Sequence, residues 1–204
     1  MRTLGVLGAP YQTVFDVQFN GISAADLTNN YLPSVSGAVT INGGLATFHD
    51  STSERISYYP PFGVPAKLNL QTDTEFNLRF SITAKGGVGV LMSCLNAARN
   101  NGFYIFVNDM IPVLAFYGVG IGNILMTVPI PIGTFTTVKC VYKRSAKQLV
   151  VYVDGLLAGT LNVLNFNAVT NEPRYVHLGV LSDTFTSQPL SGLIDFVSIA
   201  DKAG

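Results

Sequence analysis

The sequence predicts an all-β protein, either a sandwich or a barrel of antiparallel strands. The chain has 204 residues with 20 Gly and 10 Pro. Turn residues divide β-rich apolar runs at intervals of about 8–12 residues, which is typical of these two architectures. Hydrophobic residues make up 48% of the chain, enough to build a sizeable core. No long helical pattern is present, and residues 24–29 and 95–99 would each form a single helical turn at most.

The candidate strands are short and follow one another along the whole chain. They are 14–19, 38–41, 45–48, 56–59, 76–83, 89–95, 103–107, 113–117, 124–128, 136–142, 149–153, 156–161, 176–180 and 194–199. No linker or internal repeat divides them. We therefore predict a single domain over residues 13–204, preceded by an extended arm over residues 1–12.

The clearest hairpin joins the apolar runs 149–153 and 156–161. Asp154 and Gly155 stand between them, and Asp-Gly supplies the positive φ angles of a two-residue type I′ turn. The preceding strand, 136–142, alternates cleanly between two faces. Val138, Cys140 and Tyr142 share one face, whereas Thr137, Lys139 and Val141 share the other. The basic segment 143–148 is then the turn between these strands, a solvated tip rather than an anion site.

Charge and targeting signals narrow the possible partners. Twelve Lys and Arg balance twelve Asp and Glu, so the formal net charge is zero and no footprint for nucleic acid or an anionic membrane is present. We read no signal peptide at the start of the chain. The apolar stretch 111–132 is interrupted by prolines and glycines, so no membrane insertion is expected. Cys94 and Cys140 each lie in an apolar run, which favours buried free thiols over a disulfide.

The low content of charged residues points to an exterior covered by other protein. Charged residues make up 12% of the chain, about half the usual share of roughly 25%. The apolar segments 111–121 and 124–132 favour an interface in a homo-oligomer or a larger assembly, with burial inside a thick sandwich as the alternative. The residues proposed for this assembly interface are Val113, Phe116, Tyr117, Ile121, Ile124 and Met126.

Several motifs resemble those of the concanavalin A-like, laminin-G-like jelly-roll superfamily. The strand that ends in Tyr152-Val153-Asp154-Gly155, the Leu178-Gly179 pair and the last strand 192–199 carry the resemblance. Segments 19–21, 76–82 and 102–106 fit more loosely. The resemblance implies a two-sheet antiparallel jelly-roll sandwich in which the final strand returns beside the first. The parity of residues 194–199 is imperfect, which a β-bulge or burial on both faces would explain.

Catalytic motifs are absent from the sequence. β-Glucanases of this superfamily carry E-x-D-x-x-E, and the glutamates of this chain, Glu54, Glu75 and Glu172, belong to no such motif. Asp73 and Glu75 would share a strand face, but a polar turn before a strand is the better interpretation. His49 is expected at the surface and His177 as a satisfied sheet residue, neither of them a catalytic base. We predict that the protein is not an enzyme.

Two kinds of binding site are plausible. Carbohydrate needs exposed aromatic rings, and Trp is absent, so the candidates are the tyrosines Tyr58, Tyr59, Tyr104 and Tyr117. No cofactor is required, although the superfamily often binds Ca²⁺, and calcium needs loop oxygens. The candidate calcium ligands are Asn100, Asn108, Asp109 and Asp183.

The resemblance suggests two functions of different kinds. The first is a structural protein of a virion, such as a bacteriophage capsid decoration, head-fibre or tail component, with copies of itself or other virion proteins as partners. The alternative is a lectin module for glycans of a host surface, and a glycanase ranks last. The expected location is the virion, with the cytoplasm as the alternative.

Overall fold

The computed structural model describes residues 11–19, 23–62, 68, 72–83, 87–96, 102–108, 113–119, 128–162, 174–182 and 188–202. Within these ranges the regular structure is entirely β, as predicted. The strands are β1 Tyr11–Val17, β2 Leu32–Ser36, β3 Thr40–Asn42, β4 Leu45–His49, β5 Arg55–Tyr59, β6 Thr74–Ile82, β7 Val88–Asn96, β8 Gly102–Asn108, β9 Val113–Val119, β10 Val128–Pro129, β11 Thr136–Lys143, β12 Gln148–Val153, β13 Leu156–Asn162, β14 Arg174–Leu178 and β15 Ser191–Lys202. None of the described residues forms a helix that is long and apolar enough to cross a membrane.

The strands form two antiparallel sheets, so the sandwich alternative is confirmed over the barrel. The eight-stranded sheet has the order β13-β12-β11-β6-β15-β4-β3, with β1 paired to β15 beside β4. The seven-stranded sheet has the order β10-β9-β8-β7-β14-β5-β2. The last strand returns beside the first, because β15 pairs with β1 from Tyr11 opposite Lys202 to Val17 opposite Val197. The long crossovers between the sheets place distant parts of the chain side by side.

The core lies between the sheets and is filled by the inward residues of both. From the eight-stranded sheet come Phe76, Leu78 and Phe80 of β6, all almost completely buried. From the seven-stranded sheet come Phe103 and Ile105 of β8, also buried. Burial of such side chains stabilises each by about 1.5–3 kcal/mol. The alternation in these strands therefore leaves every second residue facing outward.

The predicted irregularity in the last strand is a β-bulge. The register of β15 against β6 shifts between Ile194, opposite Phe80, and Phe196, opposite Arg79. Asp195 is the extra residue, so inward burial resumes at Val197. Gly192 precedes the bulge at φ 152, and an ideal Cβ there would lie 2.3 Å from the carbonyl oxygen of Ser81. The close approach of β15 to β6 thus requires glycine at this position.

The Asp154-Gly155 hairpin is confirmed. Both residues have positive φ, 49° and 80°, as a type I′ turn requires. A hydrogen bond also ties the turn to β11, because the Asp154 side chain accepts it from the backbone N–H of Thr137 at 2.8 Å. The turn predicted over 143–148 is present but shorter: it covers residues 144–147, with Lys147 at φ 52, while Lys143 ends β11 and Gln148 begins β12. Cys94 and Cys140 are buried and are not joined in a disulfide, again as predicted.

The sequence prediction missed β2 at the edge of the seven-stranded sheet. Pro33 and two serines interrupt its apolar pattern, but among the described strands β2 pairs on one side only, with β5. An edge strand tolerates proline because one side of its backbone needs no ladder hydrogen bonds. At the chain start, Tyr11 and Gln12, assigned above to an N-terminal arm, already belong to β1. Residues 1–10 of that arm lie outside the described residues.

Candidate functional site

A row of polar and aromatic side chains crosses the outward face of the eight-stranded sheet. Its centre is Lys139 of β11, which is opposite Asn77 of β6 on one side and Tyr152 of β12 on the other. Tyr152 in turn is opposite Leu157 of β13. Residues directly opposite on neighbouring strands lie on the same face and contact each other. One amide, one ammonium, one phenol ring and one leucine therefore form a continuous row across four strands.

A groove with a volume of about 370 Å³ follows this row. Its lining residues are Asn77, Thr137, Lys139, Val141, Tyr152 and Gly155. Their inward neighbours Val138, Cys140 and Tyr142 are buried in the core, which fixes the backbone beneath the groove. The volume lies at the lower end of the range for small-ligand sites, about 300–1,000 Å³. The groove is thus built on strands fixed by the core and on the Asp154-Gly155 turn, which is hydrogen-bonded to β11.

The charges at the groove are paired. The ammonium of Lys139 lies 2.7 Å from Oε1 of Glu75, which is 19% exposed, whereas the Lys139 side chain is 42% exposed. The amide of Asn77 donates a hydrogen bond to the same carboxylate oxygen at 3.3 Å. Glu75 therefore holds both polar side chains of the row in place. An ammonium has three donors and a carboxylate about four acceptor positions, so both groups keep capacity for a ligand.

A second ion pair stands next to the groove. Arg79 is opposite the lining residue Thr137, and its guanidinium donates a hydrogen bond to the carboxylate of Asp195 in the bulge. The guanidinium carbon also lies 4.6 Å from the centroid of the Phe135 ring, a cation–π contact. The outward face thus carries positive and negative groups in matched pairs.

Tyr11 of β1 places a neutral phenol near this face. Burial raises the pKa of Tyr11, and the negative charges of Asp73 and Glu75 raise it further. Asp73 itself accepts a hydrogen bond from the backbone N–H of Arg144 at 2.9 Å and lies 3.7 Å from the ammonium of Lys202. Each of the two carboxylates therefore has a cation of its own, an arrangement expected of ion pairs that order the sheet surface.

Beyond Tyr152 the row ends in an exposed leucine. Leu157, opposite Tyr152, has 62% of its surface exposed. It lies on β13, the last strand at this end of the described sheet. An exposed leucine next to an aromatic ring extends the apolar surface on which a ligand can rest.

The four tyrosines predicted for carbohydrate do not form one cluster, although Tyr104 and Tyr117 are neighbours on adjacent strands. Tyr58 is fully buried, with its ring 4.9 Å from that of Phe15, so its assignment as a stacking platform was wrong: it is an inward residue of β5 and fills the core. Tyr59 and Tyr104 are partly exposed, but they belong to β5 and β8, which are separated by β14 and β7. Tyr59 packs edge-to-face on Tyr175 at 5.1 Å. Tyr117 of β9 is opposite Tyr104 of β8 in the strand register, and for Tyr117 the structure describes the backbone alone.

The other predicted sites fall largely outside the described residues. Of the calcium candidates, Asn108 ends β8, whereas Asn100, Asp109 and Asp183 are not described. Among the described residues, no group of three or more His, Cys, Asp or Glu could hold a metal ion. Calcium therefore stays a prediction from the sequence.

The described residues likewise do not test the predicted assembly interface. Val113, Phe116 and Tyr117 lie on β9, where the backbone alone is described. Ile121, Ile124 and Met126 lie outside the described residues. The proposed interface therefore stays a prediction as well.

The histidines occupy structural positions, as the sequence predicted. Nδ1 of His177 lies 3.0 Å from the hydroxyl oxygen of Ser57, and both residues are buried in the seven-stranded sheet. His49 ends β4 with 52% of its side chain exposed, and its Nδ1 lies 3.0 Å from Oε1 of Glu54. Glu54 is buried and also accepts a hydrogen bond from the backbone N–H of His49.

The sequence did not predict the groove, although it indicated three of the six described lining residues. The alternation of strand 136–142 put Thr137, Lys139 and Val141 on one face, and in the structure all three line the groove. The partners Asn77 and Tyr152 come from strands whose register against β11 depends on long-range pairing. A single strand pattern cannot supply that register.

Comparison with known proteins identifies the fold. No protein-family model and no curated protein sequence matches the chain. Among solved structures, one from botulinum neurotoxin type C, whose cell entry is dependent upon interaction with two ganglioside molecules, is similar with a TM-score of 0.71 and 11% identity. The match covers 94% of this chain and 48% of that one.

Two further botulinum neurotoxin structures show the same likeness. The binding domain of neurotoxin DC in complex with rat synaptotagmin II has a TM-score of 0.72 at 10% identity, over 94% of this chain and 49% of that one. The serotype G binding domain has a TM-score of 0.64 at 12% identity, over 92% and 47%. This chain thus spans about half the length of each. At this identity the likeness establishes the fold alone, a two-sheet antiparallel sandwich.

Proposed function

We propose that this chain is a non-catalytic carbohydrate-binding module and that the groove across β6, β11 and β12 is its binding site. The observation that carries the proposal is the row of Asn77, Lys139 and Tyr152 along one groove. A sugar ring presents C–H groups on its face and hydroxyls around its edge. An aromatic ring accommodates the face, while an amide, an ammonium and a carboxylate exchange hydrogen bonds with the hydroxyls.

The dimensions of the row suit a short oligosaccharide. Neighbouring strands lie about 4.8 Å apart, so the three intervals from Asn77 to Leu157 span about 14 Å, the length of roughly two or three linked sugar rings. The strands hold these groups in fixed positions before a ligand arrives. Preorganisation of this kind lowers the entropy lost on binding.

The structural comparisons support a binding role over the role of a virion component. Two of the similar structures are binding domains, and a third comes from a toxin whose cell entry depends on gangliosides. Gangliosides carry sugars, which favours the glycan-binding alternative of the sequence analysis. The same comparisons are compatible with a protein that is not an enzyme, as are the separate cation partners of Asp73 and Glu75.

The test is glycan binding by the purified chain, measured on a glycan array and then by isothermal titration calorimetry. We expect Tyr152→Ala to weaken binding about tenfold or more, because a stacked ring contributes roughly 1–2 kcal/mol. Tyr152→Phe should retain most of the affinity, since it keeps the ring. Tyr104→Ala, on the opposite sheet, is the matched control and should bind like the parent protein. Loss of binding in Tyr104→Ala but not in Tyr152→Ala would place the site on the other sheet and overturn the proposal.

A further inference from the structure

The charge arrangement at the groove bears on which glycans it accepts. Lys139 supplies the ammonium among the described lining residues, and its nitrogen lies 2.7 Å from the Glu75 carboxylate. Arg79, which is opposite the lining residue Thr137, is paired with Asp195 in the same way. Neither cation therefore presents an uncompensated positive charge to a ligand.

We propose that the groove selects neutral saccharides over saccharides that carry a carboxylate or sulfate, an inference that rests on the carbohydrate-binding function proposed above. An acidic sugar that reached the Lys139 ammonium would place a second anion beside Glu75. Two negative groups within about 4–6 Å of each other disfavour the charged state of both. The acidic ligand would either remain beside Glu75 and bear this repulsion or displace Glu75, which also holds the amide of Asn77 at 3.3 Å.

A neutral hydroxyl meets no such penalty. It accepts a hydrogen bond from a remaining proton of Lys139 and donates one to Glu75, so the existing ion pair stays intact. Hydrogen bonds to charged groups are stronger than those between neutral groups, which gives a hydroxyl ligand directed contacts without bringing in new charge. The Glu75–Lys139 pair thus acts as a specificity element through its charge as well as through its geometry.

The experiment uses matched glycan pairs on an array, each pair being one oligosaccharide with and without a terminal sialic acid or sulfate. We expect the parent chain to bind the neutral member about tenfold more tightly than the acidic one. Glu75→Gln keeps the size and an acceptor oxygen but removes the negative charge, so it should bring the ratio close to one or reverse it. Asp50→Asn is the control, because it removes one negative charge at an exposed turn outside the groove and should leave the ratio unchanged.

The possible results separate this inference from the proposed function. Equal or tighter binding of the acidic members by the parent chain would overturn the selectivity while leaving carbohydrate binding intact. An identical shift in Glu75→Gln and Asp50→Asn would also overturn it, because the effect would then follow net charge rather than the ion pair. No binding to any glycan by folded protein would overturn the proposed function, and the inference with it.

Discussion

The rings of Phe76 and Phe103 meet across the two sheets, with centroids 4.5 Å apart and planes inclined at 59°. Phe76 comes from β6 at the centre of the eight-stranded sheet, and Phe103 from β8 of the other. Both are buried, so the contact joins the sheets directly beneath the groove strands. Tilted aromatic pairs contribute about 0.5–1.5 kcal/mol beyond the burial of their area.

A double-mutant cycle on this pair should reveal that coupling. Phe76→Leu and Phe103→Leu should each lower the free energy of unfolding by about 1–1.5 kcal/mol, since volume is nearly conserved. The double variant should lose less than the sum of the two, by about 0.5–1.5 kcal/mol, because the ring contact is lost once. Urea denaturation measures all four proteins. Strict additivity would show that the two rings do not stabilise each other.

Gly192 should be intolerant of any side chain. Gly192→Ala places a Cβ 2.3 Å from the carbonyl oxygen of Ser81 and holds alanine at φ 152, so we expect a loss of about 2–4 kcal/mol. Gly155→Ala is the matched control. Gly155 also has a positive φ but has no atom within 4 Å of the added Cβ, so its loss should be about 1 kcal/mol. Thermal melts that rank the two variants the other way would refute the close approach.

The Cys140 thiol should make stability fall at alkaline pH. Burial raises the pKa of Cys140 from 9.0 to about 12 in the folded chain. The stabilisation is therefore complete below pH 9 and is lost as pH rises from there toward the folded pKa, at up to roughly 1.4 kcal/mol per pH unit. Between pH 9 and 10, Cys140→Ala should show a flatter decline than the parent.

The measurement is the free energy of unfolding at closely spaced pH values under reducing conditions. The window stops at pH 10 because burial also raises the pKa of Tyr31 and Tyr58 above 10.0, and both would add to the slope beyond it. A parent and variant with the same slope would exclude Cys140 as the source.

Asp26 should be important for the segment that leads into β2. Its buried carboxylate accepts hydrogen bonds from the backbone N–H groups of Asp16 at 2.9 Å and of Asn30 and Tyr31 at 3.0 Å, and from the Thr28 hydroxyl at 2.7 Å. Asp26→Ala would leave these donors without their acceptor and should cost about 3 kcal/mol. Asp26→Asn keeps one acceptor oxygen, so its stability should lie between the other two. Chemical denaturation of the three proteins gives the order, and a neutral Asp26→Ala would contradict this role.

Local patterns predicted much of the fold. The Asp154-Gly155 turn, the two faces of β11 and the bulge near Asp195 all depend on residues close together in the chain, and all three are observed. The pairing of the last strand, β15, with the first strand, β1, was predicted from the resemblance to the jelly-roll superfamily rather than from local patterns. The strand β2 was missed because Pro33 is acceptable at a sheet edge, and edge position is a property of the assembled sheet.

The site was harder to predict because it depends on pairing between distant strands. Tyr58 looked like a candidate for stacking, but whether a strand residue faces the core or the solvent depends on which sheet covers it. The sequence analysis named Tyr152 only as part of the motif that ends in Asp154-Gly155. Its position opposite Lys139 depends on the register between β11 and β12, which the structure supplies. Tyrosine is intermediate in its tendency to be buried, so composition alone does not distinguish a core tyrosine from a surface one.

The groove and the core are encoded by alternate residues of the same strands. In β11, Thr137 and Lys139 face the groove while Val138 and Cys140 face the core. Outward positions can therefore diversify without disturbing the packing that holds the sheets together. The scaffold is accordingly well suited to directed evolution: a library randomised at outward strand positions such as 137, 139 and 152, with the Asp154-Gly155 turn kept, would sample new ligands while the inward residues that build the core stay unchanged.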